Sequence, residues 1–123
     1  MGAKRYEDLV VYQLANELHR AVCEITASGA VARDFRFRDQ LRDASASAPR
    51  NIAEGFARYR PKEFARFLQI ARGSLAETDW HLQDGLARGY FSADIVQKLR
   101  GLCGRTSIAA LRLIQYLHNA KRD

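Results

Sequence analysis

Four stretches of this chain place apolar side chains at steps of three and four residues, with short polar connections between them. That spacing gathers the apolar groups on one stripe of an α-helix and leaves the other face polar. The first stretch, about Tyr6 to Ala27, carries Leu14, Leu18, Ala21, Val22 and Ile25, with Val11 and Tyr12 leading in and Gly29 as its stop. The connection Ser28–Arg33 follows, and Asp34 is placed to cap the next helix. The second stretch, about Phe35 to Arg58, carries Phe37, Leu41, Ala44, Ala48, Ile52 and Phe56. The third starts at Pro61, whose missing donor costs nothing in a first turn, and runs to about Arg88 with Phe64, Phe67, Leu68, Ala71, Leu75, Thr78, Leu82 and Leu86. Gly89 ends it. The fourth opens on Ser92 as cap and carries Ile95, Leu99, Leu102, Cys103, Thr106, Ala109, Leu113 and Tyr116 or Leu117, while Ile108, Leu111 and Ile114 add apolar surface beyond that stripe. Segments of this length with short connections predict an all-α fold, an antiparallel up-down-up-down four-helix bundle forming a single domain over residues 1–123.

The second stretch is thin in its middle, where Ala44, Ser45, Ala46, Ser47 and Ala48 are all small and Pro49 follows. Proline removes the donor to the Ser45 carbonyl and disfavours helical geometry at Ala48. The apolar stripe nevertheless keeps its phase across Pro49. One helix kinked at Pro49 is therefore expected rather than two.

Charge separates the middle of the chain from its ends. Residues 33–72 carry ten basic and five acidic side chains, a net of +5 out of the chain's +6. Arg36, Arg38, Arg42, Arg50, Arg58, Arg60, Lys62, Arg66 and Arg72 bracket the second and third helices, and Tyr59 stands between two arginines where its ring could stack on a base. Such a set binds polyanions through phosphate neutralisation. The competing reading is a solvated surface whose ion pairs are individually worth little. No apolar run approaches the roughly 18 residues of a membrane span, and the N-terminus lacks the apolar core of a signal peptide, so a cytoplasmic protein without a membrane role is expected. Cys23 and Cys103 fit that compartment as small buried hydrophobes.

No catalytic constellation emerges, and no cofactor or metal site is expected. A di-metal carboxylate site in a bundle uses Glu-x-x-His, whereas Glu77 and His81 are four apart. His19 and Cys23, one turn apart, supply half of a zinc site with no second half. Ser47, Asn51, Glu54, Ser74 and Glu77, with Arg42, are polar residues set among core positions. They read as a buried or subunit-interface network that fixes register, as partly exposed groups without a role, or as ligand- or metal-binding groups.

The residues Gln40-Leu41-Arg42, Ser47, Asn51-Ile52-Ala53-Glu54-Gly55, Lys62-Glu63-Phe64, Phe67-Leu68 and Gly73-Ser74-Leu75 with Glu77 closely resemble the family of 23S rRNA intervening-sequence proteins. Tyr6-Glu7-Asp8-Leu9 with Val11-Tyr12 looks like that family's start, and Gly89-Tyr90 like its last turn, so the resemblance covers nearly the whole chain. Accessory bundle proteins of diversity-generating retroelements look like relatives. The resemblance implies a four-helix bundle assembled as a homopentamer around a central opening, without enzymatic activity, for which nucleic-acid binding is the usual proposal. Arg60 departs from the family's usual Ser before Pro61, which leaves Glu63 without a capping-box partner. Two functions follow as expectations. One is a non-enzymatic homo-oligomeric scaffold binding RNA or DNA with little sequence preference through its arginines. The alternative is a protein-interaction module that docks a partner such as a polymerase.

Overall fold

The computed structural model describes residues 2–58 and 60–120. A 3-10 turn at Tyr6–Asp8 leads into α1 (Val10–Ile25), α2 (Ala30–Arg33), α3 (Phe35–Ala57), α4 (Pro61–Ala87) and α5 (Ala93–Ala120), and no strand occurs among the described residues. The four long helices fall on the four amphipathic stretches. The short α2 is a single turn inside the connection expected between the first two.

The ends follow local chemistry. Asp34 Oδ1 accepts from the Phe37 N–H at 3.2 Å and caps α3, while its Oδ2 accepts from the Tyr90 hydroxyl and ties that cap to the α4–α5 turn. Tyr90 first, then the Phe37 N–H and the Arg88 charge, hold the Asp34 carboxyl below its ordinary range. Gly89 takes φ of 79°, and the Tyr90 N–H reaches the Gly85 carbonyl at 2.8 Å while the Gly89 N–H reaches Leu86 at 3.0 Å. This paired closure satisfies two carbonyls that α4 leaves open, and it needs a left-handed residue that glycine supplies without strain. Ser92 Oγ accepts from the Ile95 N–H at 3.3 Å at the start of α5. Arg60 gives α4 no side-chain cap, as its replacement of Ser implies.

Helix α3 packs on α4, α4 on α5, and α1 on both α3 and α5. Leu18, Leu41, Ile52, Leu68, Leu75 and Leu82 are fully buried between them. Helix α3 runs unbroken through Pro49, and Ala48 stays helical despite the proline that follows it. Ala44, Ala48 and Ile52 are all buried on one side of α3, so packing outweighs the local preference at Ala48. The apolar stripe of α5 departs from expectation. Val96, Ala110 and Ile114 are buried, whereas Ile95 is exposed and Ala109 and Leu113 are half-buried. Over 28 residues a 3.6-residue period admits two neighbouring phases, and the partner helices select one.

The outward side of α5 has its own pattern. Gln97, Gly101, Gly104, Ile108, Leu111 and Gln115 recur at steps of three and four, and none is charged. Ile108 keeps 51% of its surface exposed within that strip.

Candidate nucleic-acid interface

The polar residues of α3 and α4 form a directed chain of hydrogen bonds. Asn51 Nδ2 donates to the Ser47 carbonyl at 2.8 Å and to Ser47 Oγ at 3.0 Å. Ser47 Oγ, already accepting, gives its hydrogen to Ser74 Oγ at 2.7 Å, and Ser74 Oγ donates to the Ile70 carbonyl at 3.2 Å. Both hydroxyl hydrogens are used, so the chain is closed on itself and links two helices. Glu54 and Glu77 stand outside it. Glu54 is exposed and pairs with Arg58 at 2.9 Å, and Glu77 is exposed with its carboxylate 3.8 Å from His81 Nε2.

A second polar group joins α1 to α3. Arg42 Nε donates to Thr26 Oγ1 at 2.7 Å, and a terminal nitrogen reaches the Cys23 carbonyl at 3.5 Å, so the guanidinium sits on the C-terminal end of α1. Ser45 Oγ donates to the Arg42 carbonyl at 3.1 Å and accepts from His19 Nδ1 at 2.9 Å. That fixes the His19 tautomer and leaves its Nε2 lone pair toward Cys23 Sγ at 3.7 Å. Burial first, and the Arg42 charge second, hold the His19 pKa below 6.5. Because the folded state disfavours the imidazolium, the stabilising contribution is complete above the ordinary value near 6.5 and is lost as pH falls through the depressed one. Replacing His19 with Gln is expected to flatten the decline of melting temperature between pH 7 and 5, read by circular dichroism. An unchanged decline would remove this assignment. Burial pushes the Cys103 thiol up to about 12. No group of three or more His, Cys, Asp or Glu side chains gathers among the described residues.

Most of the basic residues gather near the two ends of α3. Arg36 and Arg38 lie at its start, among Asp34, Asp39 and Asp84. There Arg38 is held by Asp39 at 2.9 Å and by the Ala32 carbonyl at 3.2 Å, and Arg88 by Asp84 at 3.0 Å. Arg50 is exposed midway, and Arg42 turns inward as described. Arg72 reaches Ser107 on α5 at 3.1 Å. Arg58, Arg60, Lys62 and Arg66 gather at the α3–α4 connection, opposed by Glu54 and Glu63. The Arg60 and Lys62 side chains are exposed and carry no ion pair or hydrogen bond among the described residues. The Phe67 ring holds two guanidinium groups, that of Arg58 just past the end of α3 at 5.0 Å and that of Arg66 on α4 at 4.8 Å from its centroid. Tyr59, the aromatic expected to stack on a base, lies outside the described residues.

Two concavities meet at Arg60. One, of about 510 Å³, is lined by Arg60, Lys62, Glu63, Arg66, Gln69 and His118, three cations against one carboxylate. The other, of about 640 Å³, lies between the N-terminal turn, the α3–α4 connection and the end of α5, and Tyr6, Phe56, Phe64 and Tyr116 supply its rings. The sequence placed Phe56, Phe64, Phe67 and Tyr116 in apolar stripes and pointed to no binding role for them, for Tyr6 or for His118. Phe56 and Phe64 flank the cationic connection closely enough to be noticed there. Tyr6 and Tyr116 come from opposite ends of the chain, and only the packing of α1 against α5 unites them.

None of the described helices is long and apolar enough to cross a membrane. The fold is similar to the crystal structure of a protein with unknown function from the S23 ribosomal protein family of Bacteroides thetaiotaomicron VPI-5482, with a TM-score of 0.77, 17% identity, and coverage of 85% of this chain and 98% of that one. None of the curated proteins compared with the sequence matches it. The profile of the 23S rRNA-intervening sequence protein family matches residues 7–109, and those residues include the polar chain of α3 and α4 and the whole cationic connection. The chain belongs to the 23S rRNA-intervening sequence protein family.

Proposed function

We propose that this protein is a non-enzymatic, homo-oligomeric scaffold that binds single-stranded or duplex nucleic acid with little sequence preference, through the cationic end of α3 and α4. The observation that carries this reading is the pair of exposed, unpartnered cations, Arg60 and Lys62, beside two guanidinium groups held on Phe67. Four cations against two carboxylates leave an excess at one end. At the start of α3, Asp39 holds Arg38 and Asp34 and Asp84 hold Arg88, and Arg36 stands among these carboxylates without an ion pair of its own among the described residues. Phosphate contacts of this kind position a backbone and carry no sequence information.

The helices are read as an antiparallel up-down-up-down bundle bent at Pro49, one domain in a cytoplasmic protein. Paired contacts support that order: Phe37 meets His81, Ser47 meets Ser74 and Phe56 meets Phe64 along α3 and α4, with sequence running in opposite directions. Arg100 with Asp79 and Arg72 with Ser107 give the same sense for α4 and α5. The Asn51–Ser47–Ser74 chain is read as a tie that fixes the register of α3 on α4. Self-association, a pentamer in the family's expected form, is supported by the uncharged outer strip of α5. Gly101 and Gly104 in that strip let a second helix approach closely, and Ile108 offers it exposed apolar surface. Ile108→Arg is expected to shift the native mass toward the monomer in light scattering, and an unchanged mass would take the strip out of the interface. Multiple copies would present the cationic end repeatedly, which raises avidity without any new contact.

The test of binding is retention of a labelled single-stranded RNA on a filter across a salt series. Affinity is expected to fall steeply and linearly on logarithmic axes as salt rises. No retention at low salt would overturn the reading. The second reading, docking of a protein partner such as a polymerase, draws on the same strip of α5. A protein that co-purifies in stoichiometric amount, with no nucleic-acid absorbance, would favour it.

A further inference from the structure

The cleft at the bundle end differs from the groove beside it in one respect that bears on ligand. The groove is cationic, and the cleft is aromatic. We infer that the cleft receives a single unstacked nucleobase whose flanking phosphates lie on Arg60 and Lys62, so that the protein favours unpaired over duplex nucleic acid; this rests on the nucleic-acid reading above and specifies its substrate.

Volume, lining and the position of Arg60 all favour this occupant. The cleft has a volume of about 640 Å³, inside the roughly 300–1,000 Å³ typical of small-molecule sites and larger than a lone side chain would fill. Its walls hold four aromatic rings from three separate parts of the chain. Phe56 and Phe64 meet edge to face at 6.0 Å, and Tyr116, 46% exposed, lines the cleft with them. Arg60 lines both the cleft and the cationic groove, so a phosphate held in the groove places the attached base at the cleft mouth.

Charge at the rim agrees with this occupant. Lys4 and Arg60 stand at the cleft, and the carboxylate there, Glu7, is occupied by Arg5 at 3.0 Å. An acidic peptide would match the cations and leave the rings unused. An apolar helix would match the rings and bury Arg60 without a counter-charge. A nucleotide satisfies both, because every base has a face to stack and every linkage carries a negative charge. A base inside a duplex cannot enter without being unpaired and unstacked, and that cost sets the preference for single strands.

The test uses the full-length protein, a single-stranded RNA containing one 2-aminopurine, the same strand in a duplex, and heparin as a polyanion without bases. Wild-type protein is expected to bind the single strand at least tenfold more tightly than the duplex and to quench the 2-aminopurine. Tyr116→Ala is expected to weaken single-strand binding about tenfold and abolish the quenching, with duplex and heparin affinity unchanged. Tyr116→Phe keeps the ring and is expected to behave as wild type, which separates a stacking role from a structural one. Equal affinity for single strand and duplex, or single-strand affinity indifferent to Tyr116→Ala, would overturn the cleft assignment while leaving the phosphate-binding reading in place. Failure to bind the single strand, the duplex and heparin alike would overturn both.

Discussion

Replacing Gly55 with Ala is expected to destabilise the protein by about 3 kcal/mol, the upper end of the cost of overpacking a core. A Cβ at this position would sit 2.7 Å from the Phe67 Cβ and 2.9 Å from the Phe64 Cδ1. The first of these atoms is fixed to the backbone of α4, so only a displacement of one helix from the other relieves the contact. Alanine improves helix propensity by roughly 1 kcal/mol, which reduces the loss without reversing it. Gly85 makes an instructive comparison. A Cβ there would lie closer still, 2.4 Å from Phe91 Cε2, with Phe37 Cζ at 3.0 Å. Its nearest neighbours are the far ends of side chains, and Phe91 stands in the turn before α5. Gly85→Ala should therefore cost less than Gly55→Ala despite the shorter distances, and Phe91→Leu should suppress it. Phe64→Leu should not rescue Gly55→Ala, because the contact with the Phe67 Cβ persists. Urea unfolding of the four variants measures all of this. A Gly55→Ala protein as stable as wild type would mean that α3 and α4 are not held at this separation.

Most of the helical framework was legible because it depends on local signals. Asp34, Pro61, Gly89 and Ser92 each act within a few residues of their own position, and each marks a boundary where the sequence places it. The stripes of α3 and α4 were readable for the same reason, since large apolar side chains define one phase, although Leu86, expected at the end of the α4 stripe, is exposed. The end of α5 was not, because Ile108, Ala109, Ala110, Leu111, Leu113 and Ile114 satisfy more than one phase and only the partner helices choose. Of the polar residues, Ser47, Asn51 and Ser74 come together as their spacing suggested, and Glu54 and Glu77 point away to local partners. Arg42 was counted both with the surface cations and with the polar residues set among core positions, and no local pattern told that Thr26 and the Cys23 carbonyl await it at the end of α1. The aromatic cleft was invisible for a related reason. Its rings are separated by most of the chain, and periodicity carries no information about which ends meet.

The position of the polyanion surface is the other point on which a large effect turns. The triple replacement Arg58→Glu, Arg60→Glu and Lys62→Glu is expected to lower affinity for single-stranded RNA at least a hundredfold at low salt. It should also make the salt dependence shallower by about 2 in the slope of log K against log salt, since each lost contact to a single strand releases roughly 0.7 of a counterion. The slope is the more informative readout. A protein weakened by partial unfolding loses affinity at every salt concentration, whereas one that has lost phosphate contacts loses the dependence itself. The fold should survive, because all three side chains are exposed, and Arg58 contributes only a surface pair with Glu54 and a contact with the Phe67 ring. Arg36→Glu, at the far end of α3 among Asp34 and Asp84, should change neither affinity nor slope by more than a small amount, because that end already has its carboxylates. If Arg36→Glu and the triple variant weakened binding equally, the polyanion would run the length of α3 rather than gather at its connection to α4. If neither did, the excess charge of residues 33–72 would serve solubility alone, and the uncharged strip of α5 would become the surface to pursue.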